Sequence, residues 1–458
     1  MLTEQASQQR SGSELPALSE HQEYCEQAFA AARRSGARLV RLSIAAPSAP
    51  LLSQPDGSML WCPPTGTQLV GSGQTAAIRA TGESRYQDLK ERAAGLWSEL
   101  FDMPHHSASP EMPRLFGGLS FAPTSPAGAW SDFGQGLFWL PRKLYGKSDK
   151  GAWLSLCAES NESPQEIASQ LFAEQSRLLL ASESTPRQAQ IDSAKHLQFE
   201  DWAERIQAIR QAIARGAVGK VVAARASLLH FRDGIELRPA LERLSDRYPD
   251  CYRYAFQCGT STFVGASPET LINKRGLRVS TEALAGSIAA DLPDAATQLL
   301  HSKKDRFEQD LVLRAITAAL QPICSELQCE STPQTKTLRH LTHLCTPIRG
   351  TLSTDKHVLD LVSALHPTPA VGGSPAAEAM QWIAETEGDR GWYAGPVGWF
   401  DKEGDGHFAV AIRSALFTGN DALVYAGAGI VADSDPKLEY QETGLKQRAI
   451  LDALGIFG

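Results

Sequence analysis

From residue 195 to the C-terminus, helical periodicity alternates with pairs of strands, and this alternation limits the fold more than any other feature of the chain. Asp201 to Arg215 sets Trp202, Ile206, Ile209 and Ile213 at helical spacing, and Gly216 follows as a stop. Lys220 to Phe231 then reads as a strand, and Cys251 to Gln257 alternates Tyr252, Tyr254 and Phe256. Further strands are expected at Thr262–Ala266, Thr270–Lys274 and Leu277–Thr281, followed by a helix over Ser302–Leu320. Ser374-Pro375 opens another helix, with proline at its first position. Strands follow at Trp392–Phe400, Phe408–Phe417 and Ala422–Val431, and Asp435-Pro436 opens a last helix that runs to about Ala453. Helices that cover strand pairs imply an α+β fold, a layered α/β/β/α sandwich with large, mostly antiparallel sheets.

Residues 1–190 differ in texture from 195–458. They carry Pro/Gly/Ser-rich stretches at 46–75 and 104–130, and strand-like runs at Ala37–Ala45, Leu115–Phe121 and Gly136–Leu140. A polar stretch, Ala181 to His196, separates the two parts and reads as an exposed connection. With 42% apolar and 21% charged residues in 458, a large core can form. A net charge of -8 argues against nucleic acid as the main partner. It also means that an anionic substrate must be drawn in by local cations. No apolar run is long enough to span a bilayer, so no membrane partner is expected. The N-terminus lacks a basic-then-apolar signal pattern, and the eight cysteines form no CxxC pair. The chain therefore reads as cytoplasmic, with reduced thiols.

Several side chains could carry chemistry. Glu439, Glu442 and Lys446 share one stripe of the last helix, at i, i+3 and i+7, with Leu438, Leu445, Ile450 and Leu454 available for its apolar side. They form either a solvated face with a Glu–Lys pair or a seat for a hard cation such as Mg²⁺. Glu308, among charged neighbours in SKKDRFEQD, is a surface residue or a third such carboxylate. Lys220 either solubilises the start of its strand or, if buried, is a general base with a lowered pKa. Glu282 is followed by the small residues Ala283, Ala285 and Gly286. It sits in an ordinary tight turn, or in an apolar niche that would make it a general acid. Arg413, between Ala411 and Ala415 on one strand face, needs an anion, whether a structural carboxylate or a ligand. Tyr425-Ala-Gly-Ala-Gly-Ile430 either exposes backbone N–H groups to a carboxylate or forms a bulge. There is no G-x-G-x-x-G, P-loop, G-x-S-x-G or HExxH.

Taken together, the segments resemble the chorismate-utilising enzymes, which include the isochorismate, salicylate, anthranilate and aminodeoxychorismate synthases. The matching stretches are GKVVAAR (219–225), FVGASPETLI (263–272), TEALAGSIA (281–289), SKKDRFEQDLV (302–312), HLCTPIRGTL (343–352), HPTPAVGG (366–373), DRGWYAGPVGW (389–399), AIRSA (411–415), YAGAGIV (425–431) and EYQETGLK (439–446). They follow the family's order across 195–458, and RLFGGLSF (114–121) resembles its N-terminal strand, so residues 1–190 are expected to belong to the same interwoven fold. Within the family, HPTPAVGG, DRGWYAGPVGW and Lys220 are similar to the versions in isochorismate synthases. Salicylate synthases share the lysine.

The resemblance implies an Mg²⁺-dependent isomerase that converts chorismate to isochorismate. Lys220 matches the base that activates water for attack at C2, and Glu282 matches the acid that protonates the departing C4 hydroxyl. Glu308 and Glu442 match direct magnesium ligands, and Glu439 reaches the metal directly or through water. Arg413, Lys446, Gly427 and Gly429 match groups around the side-chain carboxylate, and Ala370, His343 and Gly286 match the pocket wall. The competing readings are a salicylate synthase, which also eliminates pyruvate, and a chorismate-binding paralogue without turnover. A monomer with no glutaminase subunit is implied. Gln309-Asp310 stands where some relatives have His-Glu, with no functional consequence expected.

Overall fold

The computed structural model describes residues 16–51, 58–104, 112–124, 126–180 and 191–456. Their strands join one continuous network of 21, in which Leu39–Ala46 pairs in parallel with Leu100–Pro104 and the other recorded pairings are antiparallel. Helices cover this α+β assembly on its outer faces. One core buries Trp61, Trp139, Phe256 and Phe408 together with the helices Phe199–Ala214 and Lys303–Leu320. The other packs the helices Leu18–Ser35, Pro164–Leu180, Leu237–Arg247 and Pro436–Ala453. Both cores draw residues from each side of position 190. No helix among the described residues is long and apolar enough to cross a membrane.

Three strand systems position the site. Lys220–Phe231 is buried without a break over its first six residues and alternates only afterwards, so Lys220 starts inside the protein. It pairs antiparallel with Asp421–Ile430, setting Val222 opposite Gly429 and Ala224 opposite Gly427. Arg278–Ala289, longer than the expected Leu277–Thr281, pairs with Leu341–Leu352. The register of that pair slips between Ala285 and Ser287, where Gly286 takes a φ of 73°. The slip is a bulge, which re-aims the side chains after it.

The third system departs from expectation. Phe408–Phe417 is not one strand but two, Gly406–Val410 and Ser414–Thr418, with Arg413 between them at a φ of 52°. The cause lies in the neighbours. Gly406–Val410 pairs with Thr270–Arg275, and Ser414–Thr418 pairs with Ser261–Ser267. Those two strands are themselves separated by Pro268 and Glu269, and proline has no N–H to continue a ladder. The two breaks face each other: Val410 N donates to Glu269 O at 3.2 Å, and Ala266 N donates to Arg413 O at 3.0 Å. Arg413 therefore does not share a strand face with Ala411 and Ala415.

Smaller differences have similar local causes. Only Pro396–Asp401 of Trp392–Phe400 is strand, because Gly395 N closes a turn onto Trp392 O at 2.9 Å. Pro375 caps the helix Ala376–Thr386 from an extended conformation instead of occupying its first turn. In the Ala181–His196 connection, Ile191–Lys195 forms an edge strand on Lys220–Phe231, and 181–190 lie outside the described residues. Leu438 is 63% exposed, so it does not belong to the packed side of the last helix. The stripe that packs is polar as well as apolar: Glu439, Thr443 and Gln447 are buried, along with Ala449 and Ile450.

Candidate active site

The three systems and two helices meet around a pocket with a cavity of about 60 Å³. Nine of the residues singled out in the sequence line it: Gly286, Glu308, His343, Ala370, Arg413, Gly427, Gly429, Glu442 and Lys446. Glu269 and Tyr393 complete its polar wall.

Lys220, Glu439 and Glu282 stand behind that wall. Lys220 is fully buried and places Nζ 2.8 Å from Glu308 Oε1. Burial pushes the Glu308 carboxyl up, but the ammoniums of Lys220, Lys446 and Lys304 outweigh it and hold the group below the usual carboxylate range. Gly429 makes the contact possible, since a Cβ there would lie 2.3 Å from Glu308 Oε1 and 2.7 Å from Lys220 Cε. Glu439, 1% exposed, accepts from Lys304 Nζ at 2.6 Å. Burial and the neighbouring charge of Glu442 raise its pKa. Glu442 pairs with Lys446 at 2.6 Å, and Lys446 Nζ also donates to Gly427 O at 2.9 Å.

The backbone at Gly427 and Gly429 has an open edge. The facing residues Val222 and Ala224 direct their own groups elsewhere: their N–H groups donate to Gly372 O and Glu387 Oε1, each at 2.8 Å. Gly427 and Gly429 therefore occupy non-hydrogen-bonded positions of that ladder and turn their N–H groups to the other side. On that side the pairing with Ser414–Thr418 ends at Ala415 and Val424. Arg413 leaves the sheet there. Its Nη2 donates to His343 Nε2 at 3.1 Å, so the imidazole carries its proton on Nδ1, 3.2 Å from Gly286 O and 2.9 Å from Ser287 Oγ. Burial, with Arg413 and Lys446 nearby, keeps His343 well below its ordinary pKa and hence neutral.

Glu282 is not where an isolated acid would be. Its carboxylate does not line the pocket, and the apolar niche expected around it is absent. Lys336 Nζ lies 3.0 and 3.1 Å from its two oxygens, and Thr270 N, Thr270 Oγ1 and Cys345 Sγ also donate to it. Glu269, one strand break away, has the properties sought in Glu282. It is 3% exposed, lines the pocket and accepts no side-chain hydrogen bond among the described residues. Burial, and then the charge of Glu282, push its pKa up to about 8, against the pull of Lys220, Lys336 and Arg413. The sequence signal was a carboxylate after a proline between two apolar runs, FVGAS and TLI. Lys304 and Lys336 also escaped notice, since nothing local marks them as carboxylate partners.

Among the described residues, no three His, Cys, Asp or Glu side chains are grouped closely enough to form a ready-made metal cage. Glu308 and Glu442 nevertheless line one pocket, and Glu439 lies beside Glu442. Each of the three holds an ammonium instead. This all-oxygen set suits magnesium, which takes one or two carboxylates and fills its remaining positions with water and substrate.

The family model described as chorismate binding enzyme matches residues 51–455. The chain belongs to the chorismate-binding enzymes. Two curated relatives match most of its length. Isochorismate synthase MenF of Bacillus subtilis is 35% identical over 405 residues, covering 84% of this chain and 85% of the relative. The salicylate biosynthesis isochorismate synthase of Pseudomonas aeruginosa is 36% identical over 401 residues, covering 84% and 82%. Among solved structures, MenF, the menaquinone-specific isochorismate synthase from Escherichia coli, superposes with a TM-score of 0.75 at 27% identity, covering 94% of this chain and 99% of that one.

Crowding at Gly429 gives a direct test. Gly429→Ala should separate Lys220 from Glu308 and lower turnover of chorismate by about 100-fold, with the circular-dichroism spectrum unchanged. Activity within a factor of about three of the parent would show that the close approach does not matter.

Proposed function

We propose that this enzyme is an isochorismate synthase, which moves the hydroxyl of chorismate from C4 to C2 with magnesium bound. The observation that carries the reading is the pairing of opposite chemistries around one small pocket. A neutral-leaning carboxyl, Glu269, and the buried amine of Lys220 flank cations that can hold a dianion. The names of the two curated relatives support the same reaction.

Arg413 and Lys446, with the open N–H groups of Gly427 and Gly429, bind the side-chain carboxylate of the substrate. His343, neutral and fixed as the Nδ1–H tautomer, accepts from Arg413 and keeps the guanidinium aimed into the pocket. Glu308 and Glu442 hold magnesium, with Glu439 beside them. A magnesium ion held there would supply positive charge to neutralise the ring carboxylate and the charge that develops on it as the C4–O bond breaks. Lys220, an ammonium while it is paired with Glu308, must first give up that proton; as the free amine it takes the proton from the water that attacks C2. Glu269, in place of Glu282, donates the proton that lets the C4 hydroxyl leave as water. Glu282 tunes Glu269: its charge, fixed by Lys336, helps keep the neighbouring carboxyl protonated.

The reaction is tested by product chromatography. Chorismate with magnesium should give isochorismate and no pyruvate, EDTA should stop turnover, and added magnesium should restore it. Pyruvate released with salicylate would make the enzyme a salicylate synthase, and undiminished chorismate would make it a binding protein.

The identity of the acid is tested by pH. A general acid must carry its proton, and the pKa of Glu269 is raised to about 8. The value of kcat/KM should therefore fall as pH rises through about 8. Glu269→Gln should lower it by about 10²–10⁴-fold and remove that limb. A persistent limb in the variant would assign the proton to another group.

A further inference from the structure

A second cavity, of about 430 Å³, lies on the exposed face of the sheet formed by Thr270–Arg275, Arg278–Ala289, Leu341–Leu352 and Cys324–Cys329. It is far larger than the active pocket and occupies the other end of the same central strand pair. Ser280 lines it and Gly286 lines the pocket, six residues along one strand, roughly 20 Å at ~3.3 Å per residue.

Three arginines line this cavity: Arg275, Arg278 and Arg349. Their positive charges lie close together. Arg275 and Arg278 are direct register partners, and like charges directly opposite on neighbouring strands repel. Arg349 lies one step along, opposite Ser280, which puts it diagonal to Arg278. No ion pair or hydrogen bond from another side chain relieves any of the three among the described residues. The one carboxylate lining the cavity, Glu326, accepts from Gln328 Nε2 at 2.6 Å instead. In a chain of net charge -8, three guanidiniums and a single carboxylate share one hollow.

We propose that this face is a binding site for a small ligand carrying two or more carboxylate or phosphate groups. Guanidiniums present planar forks that match both groups, and such a ligand would relieve the repulsion between Arg275 and Arg278. The volume lies in the range of small-molecule pockets, roughly 300–1,000 Å³. The lining contains no aromatic residue, and protein interfaces depend on aromatic anchors, so the shape and chemistry favour a metabolite over a protein segment. The site is independent of the reaction assigned to the other pocket.

The test is isothermal titration of the full chain with citrate and, separately, with inorganic pyrophosphate, without magnesium and at matched ionic strength. At least one probe should bind saturably. The Arg278→Gln/Arg349→Gln double variant should bind it at least about tenfold more weakly. Which probe binds decides between polycarboxylate and phosphate. The double variant should also melt no lower than the parent, because it loses like-charge contacts and no partner. Failure of both probes to bind overturns the proposal. So does equal binding by the double variant, which would place the ligand elsewhere, and so does a lowered melting point, which would assign the arginines to the fold.

Discussion

A buried ammonium and a carboxylate 2.8 Å apart tie the start of the strand Lys220–Phe231 to the helix Lys303–Leu320, and the site is assembled around that ion pair. Neither charge could be buried there alone, because desolvation costs several kcal/mol per ion. Together they can, provided nothing comes between them. That condition fixes Gly429 on the strand that faces Val222. One interaction thus restricts the residue opposite and fixes the position of a pocket carboxylate.

A second constraint is geometric. Two adjacent strand pairs break at the same level, one at Pro268-Glu269 and the other at Arg413. The paired breaks turn a carboxyl and a guanidinium toward the same cavity and leave the edge at Gly427 and Gly429 without a partner strand. A positive φ at arginine is strained, and such strain is retained where it orients a functional group. His343 then fixes the guanidinium from the far side.

Much of this was legible in the chain. Hydrophobic periodicity located the helix near Asp201 and the strand Lys220–Phe231, and the ordered motifs gathered nine pocket residues correctly in space. Periodicity could not reveal the break at Arg413, since an apolar run reads as one strand whether it has one neighbour or two. The proposed shift of the acid from Glu282 to Glu269 has a related reason. Glu282 is followed by small residues and looks unpaired in sequence, but Lys336, 54 positions away, reaches its carboxylate. Glu269 looks like a turn residue after proline, and only its burial in the folded chain raises its pKa. The buried polar stripe of the last helix was equally hidden, because Glu439 is paid for by Lys304 from another helix.

The central claim is that Lys220 and Glu308 form one coupled unit inside the protein. A double-mutant cycle in metal-free buffer, with Lys220→Met, Glu308→Leu and the double variant followed by urea unfolding, measures that coupling. Each single change should cost about 3–5 kcal/mol by stranding its partner, while the double variant should lose much less than the sum. Costs that simply add would mean that the two side chains do not depend on each other, and the account of the site built on them would fail.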